Sequence, residues 1–217
     1  MIINYCFHGI GRSVIEREPG EAQYWITKEF FLRVLDEVVG RSDVRLSFDD
    51  GNVSDISIAL PALTERGLTA TFFALAGRLD DPASLGAAEL RQLRAAGMDV
   101  GSHGWAHVPW RGLNEADSRR EIVDAREALV EASDGQIDVA AMPLGRYDRT
   151  LLSRLRRAHY RTVFTSDRMP ARLDSWMQAR YSATEADTVA SVKATLSTRV
   201  RPRDLRNIAA SLVKRVR

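Results

Sequence analysis

The sequence predicts an α/β fold in which parallel strands alternate with helices. Two observations support this prediction: short apolar runs of strand type recur along the chain, and stretches with helical spacing of apolar residues separate them. An open doubly wound sheet and a barrel both agree with the alternation. The chain has no internal repeat and no low-complexity linker, which favours a single domain over residues 1–217.

Six segments have the short apolar pattern of buried strands. They are residues 2–7, 44–48, 69–75, 98–101, 137–141 and 160–164. Polar residues that can bind a metal or transfer a proton follow the first, second and fourth of these segments. Because the carboxyl ends of parallel strands meet at one edge, the sequence predicts the active site at that edge.

The intervening segments carry the signals of helices. Thr27 is a candidate N-cap for a helix with apolar residues at positions 30, 31, 34, 35 and 38. In the helix expected over residues 55–66, Pro61 predicts a kink, because proline removes a backbone hydrogen bond. Gly97 predicts a left-handed C-cap after a helix over residues 87–96. Further helices are expected over residues 114–132, 148–158, 187–198 and 202–217.

The composition is typical of a folded protein without a membrane span. Hydrophobic residues make up 45% and charged residues 28% of the chain, and no apolar run reaches the roughly 18 residues that cross a bilayer. The N-terminus lacks the basic region of a signal peptide, and the single cysteine, Cys6, agrees with a reducing compartment. We therefore expect a cytoplasmic protein, with membrane association as an open alternative.

Positive charge is concentrated at the C-terminus. Residues 199–217 carry seven Lys or Arg and one acid, so this tail is +6 and the rest of the chain is −4, a balance that does not indicate nucleic-acid binding. An apolar stripe recurs there at helical spacing: Leu205, Ile208, Ala209, Leu212, Val213 and Val216. Two interpretations remain open. We favour docking of the stripe on the body of the protein, because the stripe is narrow and has no Trp or Phe; the alternative is weak contact with an anionic membrane.

Acidic and histidine side chains follow two of the predicted strands. Asp49 and Asp50 come directly after the second strand, and His103 and His107 come after the fourth. Neighbouring carboxylates repel each other unless a positive charge lies close or one of them takes a proton. Two imidazoles and one carboxylate, with positions left for water, are typical of a catalytic Zn²⁺ site, although such sets also bind other divalent ions.

A dinucleotide site is a weaker interpretation of the same strand ends. A Rossmann fold requires a glycine-rich turn after its first strand. Residues 8–13 read His-Gly-Ile-Gly-Arg-Ser and lack the third glycine of that turn. The metal-site interpretation is therefore favoured.

Two segments form longer motifs around the acidic and histidine residues. The first is Leu-Ser-Phe-Asp-Asp-Gly at residues 46–51, followed by Pro61 and by Ala-Thr-Phe-Phe at residues 70–73. The second is Gly-Met-Asp-Val-Gly-Ser-His-Gly-Trp-Ala-His at residues 97–107. With these motifs, residues 2 to about 181 resemble the polysaccharide deacetylases, carbohydrate esterase family 4. The resemblance implies a distorted parallel (β/α) barrel of about seven strands.

The resemblance also implies an activity and its residues. Asp49 would be the catalytic base, and Asp50, His103 and His107 would bind a divalent metal, Zn²⁺ first and Co²⁺, Ni²⁺ or Mn²⁺ as alternatives. The reaction would be hydrolysis of N-acetyl groups on an amino-sugar polymer or oligosaccharide. A backbone N–H near Leu144 would stabilise the oxyanion.

The later family motifs are incomplete in this chain. The third motif has an arginine ahead of Pro-x-Gly, whereas Ala141 precedes Met142, Pro143 and Gly145 here, so Arg146 or Arg180 is the candidate replacement. The fourth is approximated by residues 174–176, Asp-Ser-Trp. The fifth, a Leu-His pair that supplies the general acid, is absent, and the late histidine at position 159 is expected on the surface.

His8 is the candidate for the missing acid. Residues 5–10, Tyr-Cys-Phe-His-Gly-Ile, resemble the opening of deacetylases that modify bacterial exopolysaccharide, in which an early histidine takes the acid role. The alternative is a histidine that only hydrogen-bonds a loop. Trp105, Trp110 and Tyr147 lie close to the motifs in sequence, and lining a sugar groove and packing in the core are equally open to them.

Two other functions remain compatible with the sequence. The incomplete motifs allow a degenerate protein that binds metal or carbohydrate without turnover. Related barrels hydrolyse other C–N bonds, so an amidase on a small non-sugar substrate is the second alternative. Acetate release from an acetylated chitooligosaccharide with added Zn²⁺ or Co²⁺ tests the degenerate alternative, and a panel of substrates tests the amidase.

Overall fold

Seven of the strands in the described residues close into an all-parallel barrel. The structure, a computed structural model, describes residues 1–13, 16–197 and 202–217. The barrel strands are β1 (Ile3–Phe7), β4 (Val44–Phe48), β5 (Ala70–Ala74), β6 (Asp99–Ser102), β7 (Val139–Ala141), β8 (Thr162–Thr165) and β9 (Met177–Ser182). They follow the order of the chain, and β9 pairs back onto β1. The two-residue strands β2 (Gly9–Ile10) and β3 (Trp25–Ile26) form a separate pair. The predicted parallel barrel is confirmed.

Helices follow most of the strands, as the alternation predicts. They are α1 (Lys28–Val38), α2 (Leu60–Glu65), α3 (Ala87–Ala95), α4 (Glu115–Arg119), α5 (Ala125–Ser133), α6 (Arg149–Arg157), α7 (Val189–Leu196) and α8 (Pro202–Val216). A π-helical segment, Asp55–Ala59, leads into α2, and a second, Arg120–Asp124, joins α4 to α5. No helix in the described part of the chain is long and apolar enough to cross a membrane.

The local signals for helix ends act largely as predicted. Thr27 Oγ1 accepts a hydrogen bond from the Phe30 N–H at 3.1 Å, which caps α1. Gly97 has a φ of 78° just beyond α3. Pro61 causes no break. The turn before it is π-helical, and the Leu60 N–H donates to the Asp55 carbonyl, five residues back. The predicted helix over 187–198 is observed as α7, and its last predicted residue lies outside the described residues.

The strand β9 was not among the six segments that the apolar pattern predicts. Its residues at alternate positions, Gln178, Arg180 and Ser182, are polar and yet buried, with exposed fractions of 1%, 2% and 8%. A strand whose inward positions are polar gives no apolar alternation. The later strands also begin one or two residues after the predicted positions, at Asp99, Val139 and Thr162.

A column of aromatic rings fixes the strand end that precedes Asp49. Phe48 stacks on Phe72 with ring centroids 4.6 Å apart and on Phe7 at 5.2 Å, and Phe31 of α1 meets Phe7 edge to face at 5.1 Å. All four side chains are fully buried. Aromatic pairs of this kind contribute about 0.5–1.5 kcal/mol each beyond their burial. The residue after Phe48 therefore starts from a rigid position.

Helix α8 docks through the face opposite to the predicted one. Asp204 and Ser211 are buried, where Asp204 accepts a hydrogen bond from the Tyr181 hydroxyl at 3.1 Å and Ser211 Oγ lies 2.8 Å from the Tyr147 hydroxyl. The apolar stripe faces solvent instead, with exposed fractions of 61% for Leu205, 55% for Leu212, 61% for Val213 and 77% for Val216. The prediction that the stripe docks on the barrel was wrong, because the barrel offers polar side chains to this helix.

Candidate active site and metal centre

The carboxyl ends of the barrel strands surround a cavity of about 250 Å³. The predicted polar residues line it together: His8 after β1, Asp49 and Asp50 after β4, and His103 and His107 after β6. The opposite walls come from Leu144, Ser166, Arg180 and Ser182, and from a loop that includes Glu18 and Tyr24. The prediction that the active-site chemistry gathers at one edge of the barrel agrees with this placement.

Two histidines converge on one carboxylate oxygen. His107 Nε2 lies 3.3 Å from Asp50 Oδ1, and His103 Nε2 lies 3.5 Å from the same oxygen. That oxygen is buried and has no hydrogen-bond partner among the described residues. Asp50 and His107 both adopt positive φ, 73° and 57°, a conformation that costs energy for residues with a Cβ. The local backbone is thus strained where it brings the three side chains together.

The far side of each imidazole is held by an acceptor. His103 Nδ1 lies 2.8 Å from the Ala141 carbonyl oxygen, and His107 Nδ1 lies 2.5 Å from Glu18 Oε1. A carbonyl or carboxylate oxygen can only accept, so each Nδ1 carries the proton and each Nε2 presents a lone pair to Asp50. Burial lowers the pKa of His103 to about 4, with Asp49 opposing this effect, so its imidazole is neutral at neutral pH.

These three residues fit a divalent metal ion. Three electron-pair donors converge, and in the described residues the converging Asp50 oxygen finds no hydrogen-bond donor. Ligands bound at about 2.0–2.1 Å with tetrahedral angles lie about 3.4 Å apart, which agrees with the 3.3 and 3.5 Å separations observed. The anchored Nδ1 atoms supply the outer hydrogen bonds that metal-binding histidines usually have.

A second group of potential ligands is a poorer metal site. Donor atoms of Cys6, His8 and Asp49 also lie within 4.8 Å of one another. However, both Asp49 oxygens accept hydrogen bonds from Arg180. Burial also raises the pKa of the Cys6 thiol well above its usual range, and a protonated thiol is a weak ligand.

Arg180 supplies the charge that the third motif lacks. Its Nη1 and Nη2 donate to Asp49 Oδ1 and Oδ2, both at 2.6 Å, and Nη1 also donates to Ser47 Oγ at 3.1 Å. Of the two candidates, Arg180 makes this contact, whereas Arg146 is exposed. Burial alone would raise the pKa of Asp49, but Arg180 and then His103 hold it well below its usual range. Asp49 is therefore ionised at neutral pH.

A third carboxyl is buried near the two aspartates. Asp55 is fully buried, and neither side-chain oxygen has a hydrogen-bond partner among the described residues. Burial, and then the nearby negative charges of Asp50 and Asp49, raise its pKa well above the usual range. Its surroundings therefore disfavour the charged form.

His8 faces the cavity beside an aromatic ring. Its imidazole packs on Tyr24 with ring centroids 4.7 Å apart, and both residues line the cavity. His8 Nδ1 is buried without a hydrogen-bond partner in the described part of the chain. The alternative in which His8 only hydrogen-bonds a loop finds no support in these contacts.

Glu121 shapes the loop that carries the two histidines. It lies on the π-helical segment Arg120–Asp124, and its carboxylate accepts from the Trp105 N–H at 2.8 Å and the Ala106 N–H at 3.1 Å. The same carboxylate accepts from the Trp110 indole N–H at 3.2 Å. Gly104 has a φ of 89°, and a Cβ there would lie 2.5 Å from Glu121 Oε2. Only glycine leaves room for the carboxylate that organises the loop.

The predicted aromatic lining needs correction. Tyr147 is buried, its hydroxyl donates to Asp167 Oδ2 at 2.6 Å, and it belongs to the packing under α8. Trp105 lies under Arg120, 5.0 Å from the ring centroid, and Trp110 is fully buried. Trp110 and Tyr147 pack inside the protein, where the indole N–H and the hydroxyl have hydrogen-bond partners. Trp105 is half-buried and packs against the hydrophobic core instead of lining the cavity. Of the predicted substrate-binding residues, Leu144 lines the cavity; it has a φ of 55° in the turn Pro143–Gly145.

The serines of the cavity wall, Ser166 and Ser182, and three residues that shape the site were not predicted from the sequence. Glu18 and Tyr24 come from the segment between β2 and β3, which carries no strand-end signal. Glu121 lies in the helix predicted over residues 114–132, where a glutamate is ordinarily exposed, but its exposed fraction is 3%. A glutamate in the middle of an apolar helix face is the one signal that would have suggested a buried role.

Comparison with known proteins adds two sequence matches. The family profile described as "Polysaccharide deacetylase" matches residues 36–163, more than half of the chain. The chain is similar to a chitooligosaccharide deacetylase of Rhizobium leguminosarum bv. trifolii, with 32% identity over 128 residues. That match covers 57% of this chain and only 56% of the relative.

Solved structures share the fold at low sequence identity. The deacetylase PplD of Streptococcus pyogenes, solved in complex with acetate, superposes with a TM-score of 0.76 and 18% identity over 90% of this chain and 98% of that one. The putative polysaccharide deacetylase BA0330 of Bacillus anthracis superposes with a TM-score of 0.77 and 14% identity, over 90% of this chain and 69% of that one. IcaB of Ammonifex degensii superposes with a TM-score of 0.72 and 21% identity, over 90% of this chain and 96% of that one.

Proposed function

The chain belongs to the polysaccharide deacetylase family, and from this we propose that it is a metal-dependent hydrolase that removes N-acetyl groups from an amino-sugar polymer or oligosaccharide, in exopolysaccharide metabolism. The observation that carries the proposal is the convergence of His103 and His107 on Asp50, directly beside an Asp49 that Arg180 keeps ionised. A metal-binding triad and an adjacent base are the groups that metal-assisted amide hydrolysis uses.

Asp50, His103 and His107 would hold the metal ion, with Zn²⁺ first and Co²⁺, Ni²⁺ or Mn²⁺ as alternatives. When bound, a divalent ion supplies Lewis-acid polarisation of the acetyl carbonyl and lowers the pKa of water. Glu18 and the Ala141 carbonyl keep the two imidazoles in the required tautomer. The open cavity leaves room for the acetyl group next to these residues.

Asp49 acts as the general base. Its Oδ2 lies 3.8 Å from His103 Nε2, so it faces the position where water attacks the acetyl carbon. Asp49 takes one proton from that water as the new C–O bond forms. Arg180 orients the carboxylate through both oxygens and lowers its pKa, so the base is ready at neutral pH.

His8 and Leu144 complete the reaction. The Leu144 backbone N–H, in the turn at the cavity wall, stabilises the developing oxyanion. When the C–N bond breaks, His8 gives a proton to the departing nitrogen, because an amide anion is too poor a leaving group. The products are acetate and a free amino sugar.

Two departures from the family pattern suggested a degenerate protein. A charge partner for Asp49 is present in Arg180, and an acid candidate is present in His8, so the catalytic proposal has a residue for each missing part. The similarity to the Rhizobium chitooligosaccharide deacetylase supports a sugar substrate over a small amide.

The test combines metal analysis with acetate release. The wild-type protein is stripped with a chelator, reconstituted with Zn²⁺ or Co²⁺, and assayed on an N-acetylated chitooligosaccharide. We expect about one ion per chain and acetate release, loss of the ion in His103→Ala, and loss of turnover with the ion retained in Asp49→Asn. The matched control is His159→Asn, an exposed histidine with a φ of 57° that asparagine tolerates.

Each of the other outcomes argues against this function or supports one of the alternatives. Equal metal content in wild type and His103→Ala refutes the metal site. Metal binding without acetate release from any acetylated sugar supports the degenerate binding protein. Release from a small acetamide but not from the chitooligosaccharide supports the amidase.

A further inference from the structure

The outward face of α8 is apolar and uncovered in the described structure. Leu205, Leu212, Val213 and Val216 are between 55% and 77% exposed. At about 100° per residue they occupy roughly a 100° arc of the helix, with Ala209 inside the arc. Single exposed apolar residues are ordinary on a protein surface, but a contiguous stripe along about three turns marks an interaction site.

Polar contacts hold α8 in this orientation. Lys214 Nζ lies 2.7 Å from Asp167 Oδ1, and Asn207 Nδ2 donates to the Arg168 carbonyl at 2.9 Å. Asp204 and Ser211 add their bonds to the two buried tyrosines. Turning the stripe inward would break all of these contacts and bury cations. The outward direction of the stripe is therefore built into the packing of the helix.

The surface around the stripe is strongly basic. Residues 204–217 have four Lys or Arg and one Asp, a net charge of +3, and residues 142–172, which contain α6, have eight Arg and two Asp, a further +6. Helix α6 packs against α8, and the Arg149 N–H donates to the Arg217 carbonyl at 3.1 Å. The exposed cations on these two helices and the turn before α6 are Arg146, Arg149, Arg156, Arg157, Arg206 and Arg217.

The acids in this region do not cancel that charge. Asp148 caps α6 by accepting from the Leu151 N–H at 2.9 Å, and buried Asp167 is paired with Lys214. Buried Asp204 faces the barrel. The solvent-facing side of α6 and α8 therefore presents cations around an apolar stripe.

We propose that α8, flanked by α6, is a docking surface for an anionic lipid bilayer. An apolar stripe enters the boundary between headgroups and acyl chains, while arginine side chains extend to the lipid phosphates. Charge complementarity selects this occupant. A second copy of the chain would bring the same positive surface to the contact, and like charges oppose such pairing.

The docking surface adjoins the cavity of the proposed active site. Lys214 is bonded to Asp167, and the preceding residue, Ser166, lines the cavity. Docking would hold the cavity close to the bilayer and favour substrates located there. This last consequence rests on the proposed function, whereas the docking itself does not.

Vesicle co-sedimentation tests the proposal. The probes are phosphatidylcholine vesicles with and without about one-third phosphatidylglycerol, at low and at physiological salt. We expect binding to the anionic vesicles alone, weakened by salt. Replacing all four exposed residues of the stripe by Gln should reduce binding at least tenfold. Arg206→Gln should reduce it about fivefold, the equivalent of about 1 kcal/mol.

The matched control is Val130→Gln, which changes a 38% exposed apolar residue on α5 and should bind like wild type. The fourfold variant should keep its melting temperature and its turnover of a soluble chitooligosaccharide. If it does not fold, the charge-reversed pair Arg206→Glu and Arg217→Glu tests the same surface with the stripe intact. The proposal is overturned if wild type ignores anionic vesicles, if these variants bind equally well, or if the stripe residues instead control dimerisation in solution.

Discussion

The pair between Arg180 and Asp49 is the strongest buried electrostatic contact of the proposed site. Both residues are almost fully buried, at 2% and 3% exposed, and both guanidinium contacts are 2.6 Å long. Arg180→Met leaves Asp49 as an unpaired buried charge, which costs about 3–5 kcal/mol. Since a domain is typically stable by about 5–15 kcal/mol, we expect a large fall in the free energy of unfolding.

The loss of stability in Arg180→Met should depend on pH. In wild type the pKa of Asp49 is held low, so the pair stabilises the fold fully above the unfolded carboxyl pKa and is lost only under strongly acidic conditions. In the variant, burial acts without Arg180 and raises the pKa of Asp49, so the folded state takes up a proton and its stability falls as pH rises. The difference between the two proteins should therefore grow from about pH 5 to about pH 7.

Urea unfolding followed by circular dichroism, with a chelator present, measures this difference. The double variant Asp49→Asn with Arg180→Met removes both charges and should recover most of the stability, because no unpaired charge remains. Its activity should stay lost. Arg33→Met, at an exposed arginine on α1, is the control and should change stability by less than about 0.5 kcal/mol. A loss below about 1 kcal/mol in Arg180→Met, or one that does not vary with pH, would refute the reasoning.

Three further predictions concern the neighbours of the triad. His8→Ala should leave metal content unchanged and lower kcat by roughly 10²–10⁴-fold in the acetate assay; activity within a few-fold of wild type would return the acid role to another residue. Glu18→Gln should weaken metal binding by about tenfold in a chelator competition, because Glu18 Oε1 orients His107 Nδ1. Glu131→Gln, at an exposed glutamate on α5, is the control and should leave metal binding unchanged. Gly97→Ala should lower the free energy of unfolding by about 1–2 kcal/mol, because the residue has a positive φ and nothing lies within 4 Å of the new Cβ. Gly104→Ala should lower the free energy of unfolding by about 1–3 kcal/mol more and should reduce metal content, because its Cβ would collide with Glu121. Equal free energies of unfolding for the two alanine variants would contradict this prediction.

Much of the site could be predicted because its parts are local in sequence. Asp49 and Asp50 share one strand end, and His103 and His107 share one loop, so two short segments contain the base and all the proposed ligands. A parallel barrel brings such strand ends to one edge by its topology. Knowing the order of strands was enough to expect the cavity.

Residues far apart in sequence could not be placed in the same way. Arg180 and Asp49 are 131 positions apart and meet because β9 closes the barrel against β1, which in turn pairs with β4. The sequence offered Arg146 and Arg180 as equal candidates. The pairing of strands decided between them, since Arg180 lies on the closing strand and reaches Asp49, whereas Arg146 is exposed.

The direction of amphipathic surfaces was also decided by tertiary structure. The apolar stripe of α8 and the rings of Trp105 and Tyr147 were visible in the sequence, but hydrophobicity alone does not say which face meets a neighbour. The barrel presents the hydroxyls of Tyr147 and Tyr181 and the carboxylate of Asp167 to α8, so the polar face of the helix is the one that packs. The sequence thus determined the fold class and the helix caps, and it located the proposed ligands in two short segments, because these features depend on short-range patterns. The partner of Asp49, the anchors of the histidines and the outward face of α8 depend on which surfaces the closed barrel brings into contact, and only the structure contains that information.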